Sequence, residues 1–362
     1  MKLVADCEKI RENARAVVEL CAAHSIEVAG VTKCCCGEPE VARAMLAGGC
    51  TMLADSRLPN VSRMRDAGID APVMLLRLPS ASDADDVVRL TDYSLNSEVE
   101  TVRALSQAAQ RAGVTHAVVV MVDTGDRREG VQPERVVDVC RELLDLPGID
   151  LAGLGTSLNC LCGVCPTPEN QQLFADIVEE AEGELGIRFR LVSGGHTGNL
   201  HLVQRGLVPA RFNHFRVGEA ILIGTDQSTW AELPVPHKDA FKVYADVVEL
   251  QDKPSAPEGT IGPDAFMEVH EWPDRGVRRR AILALGEIDL RTRSLIPSRP
   301  GVDIVGASSD HLVLDVTEAR PPVHLAEEIE FDAIYPAVST GWASSCTTKV
   351  VLPVKESAAL RG

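Results

Sequence analysis

From residue 28 to about residue 224 the chain alternates short apolar, β-branched runs with segments whose apolar residues recur every three or four positions. The runs at 28–33, 50–54, 72–78, 92–96, 116–123, 149–156, 188–193 and 214–223 have the length and composition of strands buried on both faces. The clearest is His116-Ala-Val-Val-Val-Met-Val-Asp123. Between them, residues 38–47, 58–66, 81–90, 98–111, 132–146, 168–185 and the short segment 200–205 carry a helical period. A further amphipathic helix is expected over residues 3–24, where Val4, Ile10, Ala14, Val17, Val18 and Cys21 recur at helical spacing. Eight parallel strand units within some 200 residues predict an α/β fold of the TIM (β/α)8 barrel type. A doubly wound open sheet normally has fewer strands and a glycine-rich first turn, and here that turn holds cysteines.

Past Gly224 the pattern changes. Pro234-Val-Pro-His-Lys238 has the composition of a linker, and the runs at 241–250, 280–285, 304–305, 312–316 and 329–331 are separated by proline, glycine and aspartate turns. This predicts a smaller, mainly β domain over residues 235–362 behind a barrel over residues 1–234, with a frayed tail after Val354. A chain of 362 residues is long enough for both.

The formal net charge of −17 argues against nucleic acid or an anionic membrane surface as partner, since both would be repelled. No apolar stretch reaches transmembrane length, and the charged residues among the first eight interrupt any signal-peptide core, so a cytoplasmic protein is expected. In that compartment the eleven cysteines read as reduced thiols. Adjacent Cys34, Cys35 and Cys36 cannot chelate one metal from a strand; Cys160, Cys162 and Cys165 could supply three thiolates, but no fourth ligand follows at close spacing, and no metal is expected.

Candidate chemistry lies at the ends of the predicted strands, where barrel enzymes place it. Val28-Ala-Gly-Val-Thr-Lys33 ends on a lysine, whose amine is a usable nucleophile once partly desolvated; the bland alternative is an ammonium that snorkels to solvent. Asp123-Thr-Gly-Asp-Arg-Arg-Glu-Gly130 follows the fifth strand and Thr156-Ser-Leu-Asn159 the sixth. Ser193-Gly-Gly-His-Thr-Gly-Asn199 follows the seventh, and its glycines flanked by hydroxyls suit a phosphate, which TIM barrels frequently bind after strands seven and eight. The eighth strand carries Arg216 and Gly218.

Together these segments resemble the alanine racemase-like family of pyridoxal 5'-phosphate-dependent barrel enzymes, and Thr32-Lys33 with Cys36-Gly37-Glu38-Pro39 is most similar to its ornithine racemase branch. The resemblance covers nearly the whole chain. It implies that Lys33 carries the cofactor and exchanges a substrate proton, that Arg128 contacts the ring hydroxyl with neighbouring Arg127 as its rival, that Ser193, Gly194, Gly195 and Thr197 bind the phosphate, and that Arg216 and Gly218 meet the ring nitrogen and complete the phosphate site. A guanidinium at that nitrogen weakens the ring as an electron sink, which favours simple proton exchange at Cα. Ser157 stands where alanine racemases carry a ring-stacking histidine. In the β domain, segments 257–266, 286–289 and 306–312 also resemble the ornithine racemase branch, but the tyrosine base of alanine racemases has no counterpart; Asp264 and His311 are the expected second proton-transfer candidates, with Asp310 and Cys346 behind them. The resemblance further implies a homodimer with shared active sites and racemisation of a free amino acid, ornithine or a similar basic one. A D-amino-acid aldolase or dehydratase is the alternative, and a cofactor carrier protein a more distant one.

Overall fold

The structure, a computed structural model, describes residues 1–355. Its chain divides into two compact units, one made of Met1–Asp6 with Asp239–Leu352, the other of Cys7–Lys238 with the described residues from Pro353 on. The frayed tail expected after Val354 lies, beyond Lys355, outside the described residues.

The chain starts not in a helix but in strand β1 (Lys2–Asp6), and the first helix begins only at Cys7. Leu3 and Ala5 are buried while Lys2, Val4 and Asp6 are half-buried, a period of two that a helical window blurs into the amphipathic pattern following it.

In the larger unit β2 (Glu27–Val31), β3 (Met52–Asp55), β4 (Val73–Leu75), β5 (Tyr93–Asn96), β6 (His116–Val122), β7 (Ile149–Thr156), β8 (Leu191–His196) and β9 (His214–Val217) form a closed parallel barrel, with β9 paired to β2. All seven residues of β6 are buried: Ala117, Val119 and Met121 join Ala29, Val31, Ala54 and Met74 in one core cluster, and Val118, Val120 and Val122 are sealed on the opposite side of the strand. That two-sided burial is why the barrel strands read as continuous apolar runs.

The eighth barrel strand is shorter than its apolar run. It stops at Val217, and Gly218 turns the chain into the helix Glu219–Leu222, where the Ala220 amide donates to Thr197 Oγ1 (3.2 Å) instead of joining the ladder. Strand β8 carries an irregularity between Ser193 and Gly195. Gly194 is required there, because a Cβ would lie 2.2 Å from the Phe212 ring. Such bulges re-aim side chains at barrel rims.

The smaller unit is a sheet in the order β12 (Leu295–Pro297), β15 (Glu328–Ala333), β10 (Phe241–Pro254), β11 (Val277–Leu283), β14 (Leu312–Asp315), β13 (Asp303–Ala307). These six pair antiparallel; β1 joins β10 antiparallel and β16 (Thr348–Leu352) in parallel. Strands β12 and β16 and the helix Tyr335–Ala343 were not expected. That helix has no charged residue and so no charged face for a helical pattern to mark; it packs Trp342 edge-on against Phe241, with ring centroids 5.6 Å apart.

Candidate active site

Lys33 sits two residues beyond β2, in the single 3-10 turn Lys33–Cys35, with its side chain exposed. Thr32 is fully buried and anchors this turn. Its amide donates to the Ala54 carbonyl (2.9 Å), its hydroxyl to Asp55 Oδ2 (2.7 Å), and its carbonyl accepts from Cys35 and Gly37. Asp55 also accepts from Asn60 Nδ2 (2.9 Å) and the Arg57 amide (3.0 Å). Gly37 closes the turn at φ +64, and a Cβ there would lie 2.6 Å from the Asn60 carbonyl oxygen, so only glycine fits. Cys34 and Cys35 are buried, and burial pushes both thiols well above the usual range, which makes them packing residues and not nucleophiles.

Arg216, at the end of β9, is almost fully buried. One Nη donates to the Thr156 carbonyl at the end of β7 (2.6 Å), the other to the hydroxyl of Ser193 on β8. Burial lowers its pKa to about 10, so it remains a cation at neutral pH. Both bonds go to neutral oxygens, and the electrostatic support comes from the nearby Glu129 carboxylate. Ser193 is the strut between Arg216 and His214, whose Nδ1 lies 2.9 Å from the same hydroxyl. Burial and the Arg216 charge push His214 down to about 3, so its ring is neutral and its Nε2 is buried without a partner among the described residues.

His196 is held the same way. Its Nε2 reaches the Leu158 carbonyl (2.8 Å), its Nδ1 accepts from the Gly198 amide (3.1 Å), and burial with the Arg216 charge lowers it to about 4. The Lys33 ammonium also acts on it, which brings the lysine into the same electrostatic neighbourhood as Arg216. The amides of His196 and Gly198 are satisfied inside the loop, by Asn199 Oδ1 and His196 Nδ1, so a phosphate here would rely on Thr197 and the Gly218 backbone.

Of the arginine pair after β6, Arg127 folds back on Asp123 (3.2 Å) and Gln132 (3.1 Å), whereas Arg128 reaches across to Ser157 Oγ after β7 (3.1 Å) and pairs with Glu129. The pattern of residues did not reveal Asp126. Its buried carboxylate accepts from the amides of Cys160, Leu161, Cys162 and Val164 and so fixes the cysteine loop. Its place in the loop that follows a barrel strand was its sequence signal. Cys160, Cys162 and Cys165 are exposed and do not converge as metal ligands.

In the β unit, Asp264 and His311 are not brought together. Asp264 lines a cavity of about 1470 Å³ and bonds His270 Nε2 (2.9 Å); His311 is exposed in the turn after Ser308 and does not line that cavity. The His270 bond and the Phe266 amide hold the Asp264 carboxyl below the usual range, which keeps it ionised. Among the described residues, Asp264, Glu268 and His270 are the set whose ligand atoms lie within 4.8 Å of one another, although Arg293 already pairs with Glu268. No helix among the described residues is long and apolar enough to cross a membrane.

Comparison with known proteins agrees with this architecture. Residues 5–226 match the family described as alanine racemase, N-terminal domain. The lysine racemase of Thermotoga maritima is 37% identical over 352 residues, covering 97% of this chain and 98% of its own; the ornithine racemase of Acetoanaerobium sticklandii is 34% identical, covering 97% and 99%. Among solved structures, an alanine racemase of Clostridium difficile 630 superposes with a TM-score of 0.74 at 19% identity, covering 97% of this chain and 95% of its own. A D-threonine aldolase from Filomicrobium marinum does so with a TM-score of 0.73 at 20% identity, covering 94% and 88%, which speaks for the shared fold alone. The chain belongs to the alanine racemase family of pyridoxal phosphate-dependent racemases.

Proposed function

We propose that this amino-acid racemase acts on a free basic amino acid, ornithine or one like it, at the carboxyl end of its barrel. The basic substrate is supported by the two full-length relatives, a lysine racemase and an ornithine racemase. The observation that carries the chemistry is the buried Arg216 cation, bonded only to neutral oxygens at the mouth where the exposed Lys33 stands. This donor set fits pyridoxal phosphate: a protonated guanidinium offers its charge to a ring nitrogen, and Lys33 offers a primary amine.

The cofactor, when bound, supplies the electron-withdrawing ring that acidifies the substrate's Cα–H. Lys33, positioned by Thr32 and Asp55, takes and returns that proton on one face. Arg216 keeps its proton, and facing the ring nitrogen of a bound cofactor it would disfavour protonation there and so limit side reactions. Ser193 and Thr156 fix the guanidinium; Arg128, bonded to Ser157, would meet the ring hydroxyl, and Thr197 with the Gly218 backbone would hold the phosphate, while Gly194 and Gly195 shape β8 ahead of Thr197. A second copy of the chain contributes the group that works on the opposite face, with Asp264 favoured over His311 because it borders a cavity. Sedimentation should therefore show a homodimer, and a fully active monomer would contradict the shared site.

A second reading, a metal-assisted D-amino-acid lyase, is favoured by one observation, the convergence of Asp264, Glu268 and His270. Single enantiomers of common amino acids incubated in deuterium oxide, with and without chelator, separate the two. Deuterium at Cα with loss of optical rotation, unaffected by chelator and fastest for ornithine or lysine, is the expected result. Aldehyde or keto acid formed only with metal present would overturn it.

A further inference from the structure

The β unit holds a buried cation that its own acids leave unbonded. Arg280 lies on β11 with 9% of its surface exposed, and it lines the cavity of about 1470 Å³. Directly across the ladder stands Asp315, the natural partner, but both of its oxygens are committed elsewhere. Oδ2 accepts from Arg278 Nε (2.8 Å), and Oδ1 accepts from the Thr317 hydroxyl (2.7 Å) and amide (3.1 Å). The other acids of the lining are engaged too: Asp264 with His270, Glu268 with Arg293, Glu287 with Thr292. Among the described residues, no acceptor bonds the Arg280 side chain. None of the Arg280 nitrogens is both sealed from solvent and unpartnered, so the free guanidinium opens onto the cavity, where it presents its charge and its donors to an anion. The fork geometry of arginine matches a carboxylate in a bidentate pair. Beyond the cation, Ile282, Ile304 and Val313 give the cavity an apolar wall, and Trp272 borders it.

We propose that this cavity binds a free amino acid, with Arg280 holding the α-carboxylate and the apolar wall receiving the aliphatic part of the side chain. The assignment rests on the reading that the chain handles free amino acids, and it adds a binding residue in the β unit to those at the barrel mouth. Trp272, 38% exposed at the cavity, supplies the signal.

The holoenzyme is titrated with racemic lysine and racemic ornithine, so that turnover changes no concentration, while tryptophan emission is followed. Cadaverine and putrescine, which are the same molecules without the carboxylate, are the paired probes. Expected are a saturable change with both amino acids that is lost in Trp272→Phe, little or no change with the diamines, and affinity ~10-fold or more weaker in Arg280→Met. Arg280→Lys, which keeps the charge and loses the fork, should fall in between; it carries the test if Arg280→Met does not fold. Binding of the diamines as tight as that of the amino acids, wild-type affinity in both Arg280 variants, or no Trp272-dependent signal overturns the site. Racemisation lost for every amino acid while Arg280-dependent binding persists overturns the reaction and leaves the site standing.

Discussion

In the barrel unit Asp55, Glu182, Asp226 and Arg216 are all nearly sealed from solvent, each wrapped by hydrogen bonds, and His116, His196 and His214 are kept neutral by burial. In the β unit the ion pairs Lys242 with Glu330 and Asp332, Arg299 with Glu327, and Lys253 with Glu249 keep part of their surface in water. The buried charges there reduce, among the described residues, to Arg280 and Asp315. The difference locates the rigid chemistry. A buried, fully bonded polar network holds its members in one geometry, which a half-exposed pair does not. The barrel therefore orients Lys33 and Arg216 through fixed second partners, Asp55 and Ser193, while the β unit contributes groups at the edge of an open cavity.

The sharpest way to break this picture is at Lys33. Lys33→Ala should lower racemisation by ~10³-fold or more and abolish the visible band that borohydride reduces. Thermal stability should barely change, because the side chain is exposed. A variant retaining a reducible band would remove Lys33 from the site.

Arg216→Gln should lower kcat by roughly 10²-fold, since one fixed charge at the reacting centre is lost. A neutral amide no longer opposes protonation at the ring nitrogen, so keto acid formed per racemisation event should rise. An unchanged product ratio would show that Arg216 only supports the barrel.

Asp55→Ala tests whether the orientation of Lys33 depends on a residue remote from substrate. It strands Asn60 Nδ2 and the Arg57 amide and leaves the Thr32 hydroxyl only its longer bond to the Ala54 carbonyl (3.3 Å), at a cost of about 2 kcal/mol of stability, read from urea unfolding. The kcat should fall further than that loss explains at temperatures where the protein is folded. A stability loss with wild-type kcat would reduce the network to scaffolding.

The barrel was legible because burial on both faces of a parallel strand writes an unbroken apolar run, as in β6, and because function at strand ends leaves Lys33, Asp123 and Arg216 at or near the ends of such strands. What was not legible depends on partners distant in sequence. The strand identity of Leu3 needs Val243 and Lys349 beside it, and that of Ala5 needs Phe241 and Val351, all more than 200 residues away. Ser193 reads as a phosphate ligand beside two glycines, yet its hydroxyl is placed by Arg216 and His214. Asp126 and Asp55 look like ordinary loop acids until the amides they collect are known. Asp264 and His311 share a domain and a resemblance, and only the fold separates the first, at a cavity, from the second, in an exposed turn.

The smallest expected effect separates the two units by acid. Burial lowers His116 and His196 from 6.5 to about 4 and His214 to about 3, so all three are neutral in the folded barrel and protonate readily once unfolded. A depressed folded pKa contributes stability that is fully present above about 6.5 and is lost as pH falls toward the folded value, at ~1.4 kcal/mol per pH unit for each histidine. Asp55 and Glu219 are raised by burial and act in the opposite sense, over a window that opens at their ordinary values of 3.8 and 4.5 and runs upward, so these two carboxyls offset part of what the three histidines lose. The β unit has no comparable load in this window. Its depressed groups are carboxylates, Asp315 held down by Arg278, Glu327 by Arg299 and Glu330 by Lys242, and their contribution is lost only below their ordinary values near 4. Lowering the pH from about 7.5 to about 5 should therefore weaken hydrogen-exchange protection in β6 to β9 while β10, β11 and β15 keep theirs. Equal loss in both units would mean that the three barrel histidines are not held neutral, and the contrast between sealed and half-exposed charge would fail with them.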